Sequence, residues 1–119
     1  MVSDNAPQPV GNHALIDVFG PGEWGDVAAM EAILRDAANI AGATIIGAHF
    51  HHFGDGCGVT GVLMLAESHI SVHTWPERQY AAFDIFMCGG TDIDAATNHI
   101  IAAFPDCRFE RRTMARGAQ

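Results

Sequence analysis

Positive charge is scarce in this chain. Six Lys and Arg stand against fourteen Asp and Glu, for a formal net charge of −8. A field of that sign excludes nucleic acid and acidic lipid as partners held by bulk electrostatics, and it favours a cationic small molecule. Cysteine is also sparse. Cys57, Cys88 and Cys107 form no CxxC pair, and an odd count at wide spacing is not a disulfide framework. That usage fits a reducing compartment. No apolar run is long enough to cross a bilayer. The start, from Met1 to Val10, lacks a basic segment followed by an apolar one. The expectation is therefore a cytoplasmic protein without a signal peptide. No Gly-rich nucleotide fingerprint, P-loop, internal repeat or low-complexity tract is present.

What is there suffices for one small domain. The 119 residues are nearly half apolar, enough for a single core. Residues 1 to 10 read as a loose tail and His13 to Phe19 as a first strand. The Gly20-Pro21-Gly22 turn follows. Asp26 caps a helix whose apolar stripe is Val27, Met30, Leu34, Ala37, Ala38 and Ala41, with Gly42 at its left-handed end. Ala43 to Phe53 is a second strand, Gly54 to Gly58 a turn, and Val59 to Ala66 a third strand. The apolar content of that third strand suggests cover on both faces. His69 to Thr74 continues extended until Trp75-Pro76 ends it. Tyr80 to Met87 is a fourth strand. Thr91 or Asp92 caps a second helix with Ile93, Ala96, Thr97, Ile100 and Phe104 inward. Pro105 stops it, Cys107 to Thr113 forms a last short strand, and a loose tail begins at Met114. The expected fold class is α+β: a two-layer sandwich with an antiparallel sheet and helices on one face. Self-association would cover the other face.

Four groupings can carry chemistry. Ser68 with His73 offers a hydroxyl and a base, though no nucleophile elbow surrounds them. Cys88 with His73 offers a thiol and an imidazole on two strands. His49 and His51 share a strand face, beside His52, and His13 or Asp55 would have to supply a third metal ligand. The fourth is the Glu67-Ser68 bond itself. Attack of the hydroxyl on the preceding carbonyl turns the amide into an ester. β-Elimination and hydrolysis then leave a pyruvoyl group. His73, Ser71 and Thr60 are candidate helpers. A polar strand end and a buried structural thiol are the plainer readings of Ser68 and Cys88.

The stretch GVTGVLMLAESHISVHTWPERQYAAFDIFMCGG, Gly58 to Gly90, resembles the core of bacterial S-adenosylmethionine decarboxylase proenzymes. The likeness extends to GNHALIDVFG and runs from about Gly11 to Phe104. The combination of ESH, HTWPE and a CG after the next strand is highly specific. The resemblance implies a two-layer α/β sandwich that pairs into a homodimer. It implies self-cleavage between Glu67 and Ser68, giving chains 1–67 and 68–119 from one domain spanning 1–119. The second chain would begin with a covalent pyruvoyl group from Ser68, which takes the substrate amine as a Schiff base. His73 matches the processing histidine, Thr60 a supporting hydroxyl and Cys88 the proton donor. Glu77 matches the acid that holds the ribose hydroxyls, and Phe53 the ring that stacks on adenine. The substrate would be S-adenosylmethionine and the product the aminopropyl donor of polyamine biosynthesis, with no metal, pyridoxal phosphate, nucleic acid or membrane involved.

One stretch departs from that pattern. Relatives commonly read F-x-P-Q-G before the V-[ST]-G run, whereas here it is Phe53-Gly54-Asp55-Gly56-Cys57-Gly58. Phe53 stands one residue further from Gly58. Asp55 in that turn admits a second substrate class, a basic amino acid such as ornithine or arginine. Two further classes also stand: an uncleaved regulator with the same fold, and a metal-binding module built on His13, His49 and His51.

Overall fold

The computed structural model of the chain describes residues 8–117. Its elements run β1 (Gly11–Phe19), α1 (Val27–Ile40), β2 (Ile45–His52), β3 (Val59–Leu65), β4 (Ser68–Trp75), a 3-10 turn (Pro76–Arg78), β5 (Tyr80–Cys88), α2 (Ile93–Ala102) and β6 (Arg108–Arg116). The six strands form one sheet in the order β2-β3-β4-β5-β1-β6. Every neighbouring pair is antiparallel. Helix α1 packs over β2, β3 and β4, and α2 over β1 and β5. This is the two-layer α+β sandwich expected from the pattern.

The helices form where capping and periodicity agree. The Asp26 carboxylate accepts from the Ala29 N–H, and α1 buries Met30, Leu34, Ala37 and Ala38 on one stripe. Gly42, just past the end, takes φ 79°. Asp92 rather than Thr91 caps α2, accepting from the Ala95 N–H. The strands supply the other half of the core: Ala14, Ile16, Val18, Leu63, Leu65, Ile70, Val72, Phe83 and Ile85 all point at the helices. Each fully buried Leu or Ile contributes about 1.5–3 kcal/mol. Leu34→Ala at the centre of this core would cost about 2–5 kcal/mol.

Two expectations change. Residues His69–Thr74 are not a continuation of β3 but belong to a separate strand, β4, folded back beside it as a hairpin. Alternation hid this, because two apolar strands joined by a two-residue turn read as one interrupted run. The sheet also reaches further at both ends. β1 begins at Gly11, and β6 runs to Arg116, paired with Gly11. Met114 is therefore in a strand, not a loose tail. The expected tail at the start falls mostly outside the described residues, and Val10 is tied to the Arg116 carbonyl. Within one chain the helices cover β3 on one face, and its other face is open to a second copy. Val62 is 40 % and Met64 57 % exposed on the face away from the helices.

Candidate active site

The β3–β4 hairpin sets the first half of the site. Leu65 pairs with Ser68, so Ala66 and Glu67 form the whole turn. Two-residue hairpin turns need left-handed backbone, and Glu67 supplies it at φ 60°. For a residue with a β-carbon, that conformation costs roughly 1–2 kcal/mol. The strain therefore sits at the residue whose carbonyl precedes Ser68.

Cys88, the last residue of β5, lies beside this turn. Its backbone N–H donates to Ser68 Oγ at 3.3 Å. Its thiol donates to the Glu67 carbonyl oxygen at 2.9 Å. The Thr91 hydroxyl in turn donates to the Cys88 carbonyl at 2.6 Å and fixes the strand end. One residue thus contacts both the hydroxyl and the carbonyl that an N-to-O acyl shift would join. Beside Ser68, on the sheet face away from the helices, a groove of about 470 Å³ is lined by His49, Val62, Met64 and His69.

The second half lies at the opposite end of the same strand. Thr60 and His73 are register partners, with Oγ and Nδ1 3.2 Å apart. With Phe53, Cys57, Trp75 and Glu77 they line a cavity of about 440 Å³. That is within the size range of small-molecule sites. Pro76 opens the short 3-10 turn that carries Glu77, and Gln79 closes it at φ 46°. Thr74 forms the floor. Its hydroxyl accepts from the Val59 N–H at 2.8 Å and donates to the Trp24 carbonyl at 2.5 Å. Gly58 is packed so tightly that an added β-carbon would sit 1.9 Å from the Thr74 carbonyl oxygen.

The departure at Gly54–Gly58 is absorbed locally. The Phe53 N–H reaches the Gly58 carbonyl at 3.1 Å, and the Cys57 N–H the Gly54 carbonyl at 2.9 Å. The extra residue bulges within the turn, and Phe53 still lines the cavity that holds Glu77.

The two halves do not meet within one chain. Ser68 and His73 are five residues apart on an extended strand, about 17 Å. In register, His73 faces Ala82, six residues before Cys88. Neither the Ser68–His73 nor the Cys88–His73 pairing forms within the chain. The expected metal grouping also fails. His13 lies on β1, four strands across from β2, which is about 19 Å from His49 and His51. Among the described residues the one grouping of three potential metal ligands is His13, His69 and Asp84.

Nothing in the sequence pattern marks that cluster. Asp84 Oδ2 accepts from His13 Nε2 at 2.6 Å and His69 Nε2 at 2.9 Å, and Oδ1 accepts from the Ser71 hydroxyl. Burial pushes the Asp84 carboxyl up, but the hydrogen bonds from Ser71, His13 and His69 outweigh it and hold it below its usual range. The acid itself stands alone within YAAFDIFMC. Cys57 also lines the cavity, and nothing in GDGCG tells which way its thiol faces.

Comparison with known proteins follows the same lines. The family model described as S-adenosylmethionine decarboxylase matches residues 12–117. A relative from Thermodesulfovibrio yellowstonii, named S-adenosylmethionine decarboxylase proenzyme, is 43 % identical over 102 residues, covering 83 % of this chain and 74 % of its own. One of the same name from a Sulfurihydrogenibium species is 38 % identical over 111 residues, covering 91 % and 83 %. The crystal structure of the adenosylmethionine decarboxylase from Aquifex aeolicus superposes with a TM-score of 0.84 at 32 % identity, over 94 % of each chain.

Proposed function

Because this chain belongs to the S-adenosylmethionine decarboxylase family, we propose that it decarboxylates S-adenosylmethionine, using a pyruvoyl group that it makes from its own Ser68. The observation that carries this reading is the Cys88 thiol on the Glu67 carbonyl oxygen, with the Cys88 N–H on Ser68 Oγ. The residues fit the making of the group. The Ser68 hydroxyl attacks the Glu67 carbonyl carbon. Negative charge grows on the oxygen that the thiol already faces, the amide nitrogen leaves, and an ester forms. Such a donor aimed at a developing oxyanion is worth about 10²–10³ in rate. Loss of the Ser68 α-proton then expels the Glu67 carboxylate, and water replaces the nitrogen as ammonia. Relief of the left-handed backbone at Glu67 favours the forward direction.

The pyruvoyl group supplies an electron sink for the carboxyl carbon's bonding pair. The chain's own residues do the rest. The Cys88 thiol stands at the end of β5 as the proton source for the former α-carbon. Glu77 accepts from the ribose hydroxyls, and Phe53 offers its ring to the adenine.

These assignments need both halves of the site in one place, which supports a homodimer. A two-fold axis lying in the open sheet face and crossing the strands reverses strand direction. It sets the Ser68–Cys88 end of one protomer over the Thr60–His73–Glu77 end of its partner. Val62, Met64 and Trp75, all exposed on that face in one chain, then become buried. His73 and Thr60 would assist cleavage in the partner. The product would feed polyamine synthesis in the cytoplasm. Among the described residues no helix is long and apolar enough to cross a membrane.

The relatives carry the name of the nucleoside substrate, which sets ornithine or arginine below it. Asp55, the residue that admitted them, is not among the cavity's lining residues, although Gly56 and Cys57 of the same turn are. The test is release of labelled carbon dioxide by the purified protein, alongside denaturing mass spectrometry. Two fragments divided before residue 68 and turnover of carboxyl-labelled S-adenosylmethionine are expected. Turnover of ornithine or arginine alone would overturn the substrate, and turnover by an intact 12.7 kDa chain would overturn the cofactor.

A further inference from the structure

We propose that Asp84 is a positioning residue: it clamps His69, and so holds the chain end created at residue 68 against Cys88 after cleavage. The proposal rests on the self-cleavage reading above.

Cleavage changes what holds the start of β4. In the uncut chain Ser68 is tied covalently to the β3–β4 turn. In the cut protein residue 68 is a chain terminus, and strand termini fray unless they are tied down. Yet the reacting carbon sits at that terminus, and displacements near 1 Å at a reacting centre cost roughly 10²-fold in rate. The backbone pairings at residues 68 and 69 persist, but they lie at the end of a ladder. The first side chain inward, His69, is held from two sides. Its Nε2 donates to Asp84 at 2.9 Å, and its ring stacks on Phe86 at 15° and 6.2 Å.

The anchor behind it spans four strands. Arg116 Nη1 on β6 lies 3.1 Å from His13 Nδ1 on β1. A guanidinium only donates, so Nδ1 accepts and the His13 proton sits on Nε2. That proton goes to Asp84, which also takes the Ser71 hydroxyl. The carboxylate is thereby fixed by three donors and cannot swing away from His69.

The same tautomer argues against a metal at this cluster, although the three ligand atoms lie within 4.8 Å of one another. Binding through His13 Nε2 would require the proton on Nδ1, where it would face the guanidinium. A two-histidine, one-carboxylate set is a familiar iron or zinc arrangement. Here the residue behind it selects the hydrogen-bonded form instead.

The test compares Asp84→Asn in two backgrounds, with hydrogen exchange at amides 69–71 and steady-state kinetics as readouts. In the cut protein the variant should exchange about tenfold faster than wild type, with kcat down about tenfold and KM within about twofold. In the uncut Ser68→Ala background the same substitution should leave those amides within about twofold. His69→Gln, whose amide can still donate to Asp84, should keep protection and kcat, whereas His69→Ala should lose both. Should Asp84→Asn fail to fold, this second pair decides alone. Equal protection in cut wild type and cut variants overturns the proposal. So does equal loss in both backgrounds, which would make Asp84 a general brace of the sheet. A wild-type chain that is never cut removes the self-cleavage reading, and the clamp with it.

Discussion

The two ends of β4 are built on different principles. At the Ser68 end the chemistry lies in the backbone: a strained turn, an amide carbonyl, a main-chain N–H and one thiol. At the Glu77 end it lies in side chains around a cavity, with a histidine paired to a hydroxyl and a carboxylate on a short turn. In the proposed function the first end alters its own covalent structure and the second recognises the substrate. That division explains why one strand can hold both without either occupying the other's space. The proposed function then makes a sharp demand: a second chain must bring the two ends together.

The largest expected effect tests that demand. Cys88→Ala alone and Glu77→Ala alone should each lose about 100-fold or more in kcat/KM. Co-expressed, they should regain about a quarter of wild-type activity, because half of the dimers are mixed and one of the two sites in each is intact. If the halves served one chain, mixing would restore nothing. Steady-state assay of the purified mixture, with the mixed dimer isolated through two affinity tags, separates the outcomes.

A smaller effect should divide binding from chemistry. Glu77→Gln keeps the shape but loses charge-assisted acceptance, worth about 1.5–3 kcal/mol. KM for S-adenosylmethionine should rise about 10- to 100-fold while kcat stays within about threefold. Cleavage at Ser68, followed by mass spectrometry, should proceed normally. A fall in kcat with unchanged KM would move Glu77 from recognition to the reacting centre.

Packing near the cavity gives the next effect. Gly58→Ala places a methyl against the Thr74 carbonyl oxygen, so β3 must shift away from β4. The expected cost is about 1–3 kcal/mol, read as a fall in Tm of roughly 5 °C or more. Thr74 also holds the Trp24 loop, so the loss should reach the far side of the core. An unchanged Tm would mean that the strand end is looser than its hydrogen bonds imply.

How legible each end was follows from the same division. The fold was readable because Met30, Leu34, Ala37 and Ala38 repeat at helical spacing, and because β5 alternates cleanly. Ser68, His73 and Cys88 stood out as polar residues on apolar strands. Their separation did not, since a polar residue on an apolar strand looks the same whichever end of the strand it occupies. The hairpin at Ala66-Glu67 was hidden because it lacks the glycine or asparagine that left-handed backbone favours. Asp84 was hidden for a different reason. Its three donors, His13, His69 and Ser71, come from two neighbouring strands, one of them far off in the chain, and only the sheet register puts them around one carboxylate.

The smallest effect follows from that carboxylate and is read in stability. Burial raises the tendency of Asp84 to hold a proton, yet its hydrogen bonds prevail and the folded carboxyl titrates below its usual range. An unfolded Asp titrates near about 3.9, so between that value and the folded one the unfolded chain binds more protons. The stabilisation is therefore complete above about pH 5 and drains away as pH falls through the folded value. Asp84→Asn lacks it at every pH. The Tm gap between wild type and variant should be widest at neutral pH and narrow steadily below about pH 4. The carboxylate is partly exposed, at 22 % of its side chain, so the gap should be small and should shrink in high salt. A gap that holds constant down to pH 3 would mean that the three donors favour the group's shape rather than its charge.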